Sequence, residues 1–210
     1  MRENPDYALT DTAAVRELIR VSPWATMVSA TEDGLVASHY PFILDEGASD
    51  EDDIVVVSHV GRPDERLHRL GTRELLVIFE GPYGYISPGW YGVSPAVPTW
   101  NFAVVHAYGT PELLSDEENL AVLERLVDHF EDPLPEPFRM RRDELNAEYA
   151  ERIVRGTVGF RMRVERFVAK DKMSQDKPAE VVDRVIEALD SPGPYENPRL
   201  AAWMRRVHGR

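Results

Sequence analysis

The sequence contains no cysteine, which excludes disulfide staples, thiol nucleophiles, iron–sulfur clusters and cysteine-ligated zinc. It has no run of about 18 apolar residues, and so no candidate membrane-spanning helix. The opening Met1-Arg2-Glu3-Asn4-Pro5 lacks the apolar stretch of a signal peptide, and the expected compartment is the cytoplasm. Missing too are the Gly-rich dinucleotide fingerprint, the phosphate loop ending in Gly-Lys-Ser/Thr, His-Glu-x-x-His and Gly-x-Ser-x-Gly. The 6 histidines (His39, His59, His68, His106, His129, His208) are scattered without metal-site spacing. Positive charge is short: 24 Lys and Arg against 37 Asp and Glu leave a net charge of -13, which opposes the nucleic-acid polyanion over most of the surface. Lysine is the scarcest cation, confined to Lys170, Lys172 and Lys177.

What is present fits a folded domain of 210 residues, 43% hydrophobic and 29% charged. A chain of this length buries roughly 70% of its unfolded surface and needs no staple. Thr10 or Asp11 caps a first helix with Val15, Leu18 and Ile19 at helical spacing, stopped by Ser22-Pro23. Strands are expected over Trp24–Ala30 and Leu35–Leu44, a hairpin around Thr31-Glu32-Asp33-Gly34. The following acidic loop, with Asp45, Glu46, Asp50, Glu51, Asp52 and Asp53, is expected to solvate a hairpin tip. Ile54–Val57 and Leu75–Phe79 read as short strands flanking a helix over Pro63–Leu70, a strand-helix-strand unit.

From Trp100 to Gly109 large side chains alternate with small ones at the period of a strand, the small face being suited to close packing against a partner. From Val158 the apolar Val158, Phe160, Met162 and Val164 oppose Arg161, Arg163 and Glu165, which leaves one face wet or against a partner. Between these strands lies a helical insert. Ser115 and Glu118 form a capping box ahead of a stripe of Leu123, Leu126, Val127 and Phe130, and a second helix runs from about Arg142 to Arg155. Two further helices follow, one opened by Pro178 with Val182, Val185, Ile186 and Leu189, the other begun by Asn197-Pro198 with Leu200, Trp203, Met204 and Val207. A Ser191-Pro192-Gly193-Pro194 hinge separates them. The expected fold class is mainly β with added helices (α+β), a small antiparallel barrel of six or seven strands rather than a doubly wound sheet. Residues 1–176 form the barrel domain with its insert at about 115–155, and residues 177–210 a C-terminal helical extension.

Three stretches suit chemistry. In Ser58-His59-Val60-Gly61-Arg62-Pro63 a strand ends, glycine permits close backbone approach and proline opens a helix. Its free N–H groups, with Ser58, His59 and Arg62, suit a phosphate; on local physics alone a plain strand-to-helix turn, with Asp64 and Glu65 complementing the helix dipole, is the favoured reading. The second, Gly81 to Tyr91 followed by Val97-Pro98-Thr99-Trp100-Asn101, interleaves aromatics with Gly and Pro. That pattern serves a planar ligand, a subunit contact or core filling, with Ser87 and Asn101 as the polar groups that would orient a ligand. The third, Lys170-Asp171-Lys172-Met173-Ser174-Gln175-Asp176-Lys177, suits an anionic or polar heterocyclic ligand, or is a solvated loop balanced by Asp171 and Asp176.

Together these stretches resemble the PaiB-type proteins, an FMN-binding split-barrel family usually described as negative transcriptional regulators. Ala37-Ser38-His39-Tyr40-Pro41, Ser58 to Arg62, Tyr85-Ile86-Ser87-Pro88-Gly89-Trp90-Tyr91, Val97 to Phe102 and Lys170 to Gln175 carry the resemblance over about residues 1–190. It implies a six-stranded, Greek-key-like split barrel, related to pyridoxamine-phosphate-oxidase-like flavoproteins, that dimerises and holds FMN near the subunit boundary. The implied cofactor-binding residues are His39, Ser58, His59, Arg62, Ser87, Trp90, Trp100, Asn101, Lys170, Lys172, Ser174 and Gln175. The chain departs from the family pattern at Asp64-Glu65, where Asn-Pro is usual, and at Asp176, where Asn is usual. Three functions follow for comparison: an FMN-binding dimer acting as a sensor or regulator, an FMN-dependent oxidoreductase for a small planar substrate, and a cofactor-free interaction protein. Arg199, Arg205, Arg206 and Arg210 give the last helix a basic bias without any base-reading motif, so direct DNA binding is expected to be absent or weak.

Overall fold

A computed structural model describes residues 1, 4–48 and 53–210. Its elements begin with β1 (Ala8–Leu9), α1 (Thr12–Arg20), β2 (Trp24–Thr31), β3 (Gly34–Pro41), β4 (Ile43–Leu44), β5 (Val55–Gly61), α2 (Arg62–His68), β6 (Leu75–Ile86) and β7 (Thr99–Gly109). Then come β8 (Glu112–Leu113), α3 (Asp116–Glu131), α4 (Glu144–Val154), β9 (Thr157–Arg163), β10 (Arg166–Lys172), α5 (Ala179–Asp190) and α6 (Pro198–Val207). A six-stranded sheet in the order β1-β10-β7-β6-β2-β3 faces a four-stranded sheet in the order β4-β5-β9-β8, and the strand pairings among the described residues are antiparallel. The mainly β architecture with added helices is as expected.

The expected strand Leu35–Leu44 is in fact broken at Phe42. Its amide donates to the carbonyl of Pro23 at 2.7 Å, and its ring turns inward between Phe79 of one sheet and Phe160 of the other, at 5.8 and 5.7 Å, both edge-on. The chain thereby passes from β3 in one sheet to β4 in the second, and the buried aromatic trio joins the two layers. The strand-helix-strand unit is also divided: β5 and β6 lie in different sheets, with α2 between them. α2 ends in His68, 1% exposed, whose Nδ1 and Nε2 lie 2.9 and 3.0 Å from the hydroxyls of Ser29 and Ser38.

The polar face of β9 is covered only in part: Arg161 is half-buried, while Arg163 and Glu165 are exposed as expected. α3 lies over it, and its capping box is formed as expected, but the buried stripe is Asn119, Val122 and Leu126 while Phe130 is exposed. Val122 and Leu126 pack on Ile43 and Val57 in a small second cluster. Asp45, expected at a solvated tip, is buried and accepts from Arg125 Nη1 at 3.1 Å and Arg161 Nε at 3.0 Å, tying the insert to β9. Glu46 pairs with Arg16 and Arg20 and Asp53 with Arg163. Asp50, Glu51 and Asp52 lie outside the described residues.

The small face of β7 is buried within the chain: Ala103, Val105 and Ala107 are core residues. At Gly109 a Cβ would lie 2.1 Å from the carbonyl oxygen of Arg163, so this face meets β9 of the second sheet rather than a partner chain. Its large face, with Trp100 half exposed, points outward. α1, α5 and α6 complete the same core through Leu18, Val182, Ile186, Leu200 and Met204. No helix among the described residues is long and apolar enough to cross a membrane.

Candidate functional site

The end of β5 and the start of α2 form the first polar group. Ser58 is fully buried, its hydroxyl donating to the carbonyl of Pro41 at 2.6 Å. His59 stands edge-on to Tyr40, with ring centres 6.2 Å apart, and its Nδ1 is buried with no hydrogen-bond partner. Burial pushes the His59 imidazole below its usual pKa, which keeps it neutral at pH 7. Tyr40 donates to the Asp64 carboxylate, so Asp64 is engaged by a phenol and burial first, then Asp64, pushes the Tyr40 hydroxyl up. The free N–H groups expected at this turn are not all free: Arg62 N donates to Gly156 O at 3.1 Å. The Arg62 side chain reaches into the insert, with Nε on Arg155 O at 2.6 Å and Nη2 3.6 Å from Asp116. His39 is exposed on β3, the outer strand of the six-stranded sheet, opposite Thr26.

The second group gathers at the far ends of β6, β7 and β10. Ser87 caps a single 3-10 turn, Pro88–Trp90, accepting from Gly89 N at 3.2 Å. Trp90 packs edge-on to Tyr195 of the hinge at 6.2 Å, and Tyr195 lies 5.3 Å from Tyr85. Trp100 meets Tyr85 at 6.1 Å and Tyr83 at 6.5 Å, so the aromatics form one partly exposed platform. Asn101 is fully buried and donates from Nδ2 to Ser174 Oγ at 2.9 Å. It is therefore committed to positioning the loop after β10, where Ser174 adopts φ 65. Gln175 clamps that loop by donating to Asp171 O and accepting from Met173 N at 2.7 Å. Lys172 donates to Thr99 Oγ1, and Lys170 pairs in register with Val104 and Ala8. Asp176 accepts from Lys177 at 2.7 Å and from Tyr7, whose pKa is pushed up to about 12 by burial and then by Asp176.

Asn101 with Ser174, and Lys172 with Thr99, are thus brought together. Ser58 and His59 stand on β5 of the other sheet and Arg62 at the start of α2. Asp171, expected to balance a solvated loop, is instead buried and accepts from Trp203 Nε1 at 3.0 Å, and sequence reasoning assigned no separate role to Tyr91, whose buried hydroxyl has no partner. Tyr91 sits inside a quoted motif, so its place was legible although its isolation was not. The basic bias of α6 is answered within the chain: Arg205 pairs with Asp190, Arg206 with Glu17 at 3.4 Å, Arg210 with Asp183, and Arg199 donates to Val21 O at 2.9 Å.

Residues 1–166 match the family described as "Putative FMN-binding domain". The chain belongs to this FMN-binding domain family. It is 29% identical over 195 residues to "Protease synthase and sporulation protein PAI 2" of Bacillus subtilis (strain 168), covering 91% of this chain and 89% of that protein. This bears out the PaiB-type resemblance. The fold is shared with the FAD and heme binding protein from Mycobacterium smegmatis, at a TM-score of 0.60 and 16% identity over 84% of this chain and 78% of that one. It is shared too with the flavocytochrome Anf3 from Azotobacter vinelandii, at a TM-score of 0.57 and 15% identity over 91% and 86%. FMN is the cofactor of the domain family. Among the residues the resemblance implies for that cofactor, His59 Nδ1 is a buried polar atom without a partner, a state that a ligand's acceptor would relieve.

Proposed function

We propose that the chain is an FMN-binding split-barrel homodimer of the cytoplasm that acts as a flavin-dependent sensor or regulator. The observation that supports it most is the unpartnered Nδ1 of His59, beside Ser58 and Arg62, in a chain of an FMN-binding domain family. In this reading Ser58, His59 and Arg62, with Lys170 or Lys172, hold the phosphate, while Ser87, Trp90, Trp100, Asn101, Ser174 and Gln175 shape the ring end and His39 stands at its edge. These groups sit on different sheets of one chain, which favours a site shared by two chains. The exposed Tyr83 and Trp100 with Phe102 line an apolar cleft on the outer face of β6 and β7 and suit the contact between copies. Bound FMN supplies electron-transfer chemistry at its ring. The protein binds and orients it, keeps His59 neutral until an anion arrives, and excludes water with the aromatic platform.

Internal pairing of the α6 arginines supports regulation without direct DNA contact. In this reading the barrel of residues 1–176 carries the cofactor, and residues 177–210 are a C-terminal helical extension packed on the same core. The second reading, an FMN-dependent oxidoreductase for a small planar substrate, is favoured by the cleft beside Tyr91. Adding FMN and then NADH or NADPH separates the readings. Flavin uptake without bleaching is expected; bleaching with turnover establishes the oxidoreductase, and no uptake leaves a cofactor-free interaction protein.

A further inference from the structure

α4 is an 11-residue helix of which only Ala150 and Val154 are buried, against α3 and β9. A helix this short is marginal alone and takes its stability from the apolar face it packs. A second apolar stripe lies uncovered: Leu145, Tyr149 and Ile153, four residues apart and so on one side of the helix, are 80%, 55% and 44% exposed. Single exposed apolar residues are ordinary, but three large ones in a row along one helix mark a contact surface. The Arg152 guanidinium lies 5.0 Å from the Tyr149 ring centre, which holds its charge beside the stripe.

The charges beside the stripe are segregated along the helix. Glu144 and Glu148 stand in its first half, Arg152 and Arg155 at its end, all exposed, and none of their side chains has an ion-pair partner among the described residues. By contrast, Arg125, Arg139, Arg141 and Arg142 elsewhere in the insert are each answered within the chain. A helix acidic at one end and basic at the other, with one apolar stripe, is its own complement when turned end for end, which is what a two-fold contact requires. With the two-fold at the level of Ala150, Leu145 meets Ile153 of the second copy, the two Tyr149 rings meet, and Glu148 of each copy faces Arg152 of the other. We propose that α4 is a self-association surface, on which two copies of the chain pair their α4 helices antiparallel. α4 packs on α3 and on β9 of the four-stranded sheet, whereas the cleft at Tyr83 and Trp100 lies on the outer face of the six-stranded one, so the α4 contact joins dimers to one another. Two short helix faces bury less than the ~1,200 Å² of the smaller stable complexes. The contact is therefore weak, half-formed at about 0.1–1 mM chain rather than at micromolar concentration. This goes beyond flavin binding and the Trp100 contact and depends on neither.

The test is sedimentation equilibrium of the full chain from about 1 μM to 1 mM, a range that spans the expected dissociation constant. The mass present at micromolar concentration is expected to double at the upper end. Leu145→Glu, at an exposed position, should leave the thermal melt unchanged and abolish the doubling. Glu148→Arg and Arg152→Glu should each weaken it about tenfold, because every contact then loses two ion pairs and gains two repulsions. Mixing these two variants restores opposite charges at both pairs, so the mixture is expected to associate as the parent does although neither variant does so alone. A mass that stays constant to 1 mM, doubling that survives Leu145→Glu, or a mixture no better than its components overturns the proposal. The doubling is measured against whichever unit exists at micromolar concentration. A monomer there sinks the Trp100 dimer alone and leaves the α4 contact to be decided by the same series.

Discussion

Replacing Asp171 by Asn isolates the cost of a buried charge. The carboxylate lies between β10 and α6, accepts from Trp203 Nε1 at 3.0 Å, and is pushed up to about 6 by burial, against the lowering effects of Trp203, Arg206 and His208. An unfolded aspartate titrates near ~3.9, and each unit of difference corresponds to about 1.4 kcal/mol. A raised folded value means that the native state holds the proton more tightly. Its contribution is therefore fully present below about pH 4 and is lost as pH rises through about 6. At pH 7 the ionised side chain costs roughly 3 kcal/mol relative to the protonated one. Asn keeps an acceptor for Trp203 without the charge, so Asp171→Asn is expected to be more stable than the parent by about 1–3 kcal/mol at pH 7, the lower end allowing for the lost attraction of Arg206 and His208. Urea denaturation of both proteins at pH 4, 5, 6 and 7 reads the difference, and titrations common to the two cancel. A gap that is absent at pH 4 and opens with rising pH supports the reasoning; a parent that is the more stable at pH 7 refutes it.

Other substitutions probe the site and its frame. Arg62→Ala should weaken FMN binding by ~1.5–3 kcal/mol, the range for a hydrogen bond to a charged group, and equal affinities in a titration remove Arg62 from the site. The chain should sediment as a dimer whose contact buries more than ~2,000 Å² in total, and Trp100→Asp should yield a monomer; a monomeric parent at micromolar concentration contradicts the dimer. Gly109→Ala sets a methyl against the Arg163 carbonyl and should cost more than ~4 kcal/mol, the scale of severe core disruption, read as loss of the folded transition in a thermal melt. A mobility shift with random genomic fragments at physiological salt should give no discrete complex, and a sequence-specific band would overturn indirect regulation.

Local rules reach those elements whose signals are carried by neighbouring residues. Asp11 as N-cap, the Ser115–Glu118 box, Asn197 ahead of α6 and the alternation along β7 are all visible in a short window, because capping and side-chain period depend on the backbone a few residues away. The motifs with their aromatics and lysines were equally legible, and they placed the chain in its family. The identity of the face each strand buries was not. Large residues of β7 point outward because the small ones must admit β9, a demand made by Arg163 from 54 residues away in the chain, where a Cβ at Gly109 has no room. Phe42 breaks a continuous apolar run because two sheets need one ring between Phe79 and Phe160. Asp45 read as solvent-facing by its neighbours' charge, yet Arg125 and Arg161 draw it inward. The sequence by itself determined the helices, the alternation and the chemistry available; tertiary packing alone decided which polar atoms found partners, leaving His59 Nδ1 and the Tyr91 hydroxyl without one, because hydrogen-bond satisfaction depends on groups that only the folded chain brings together.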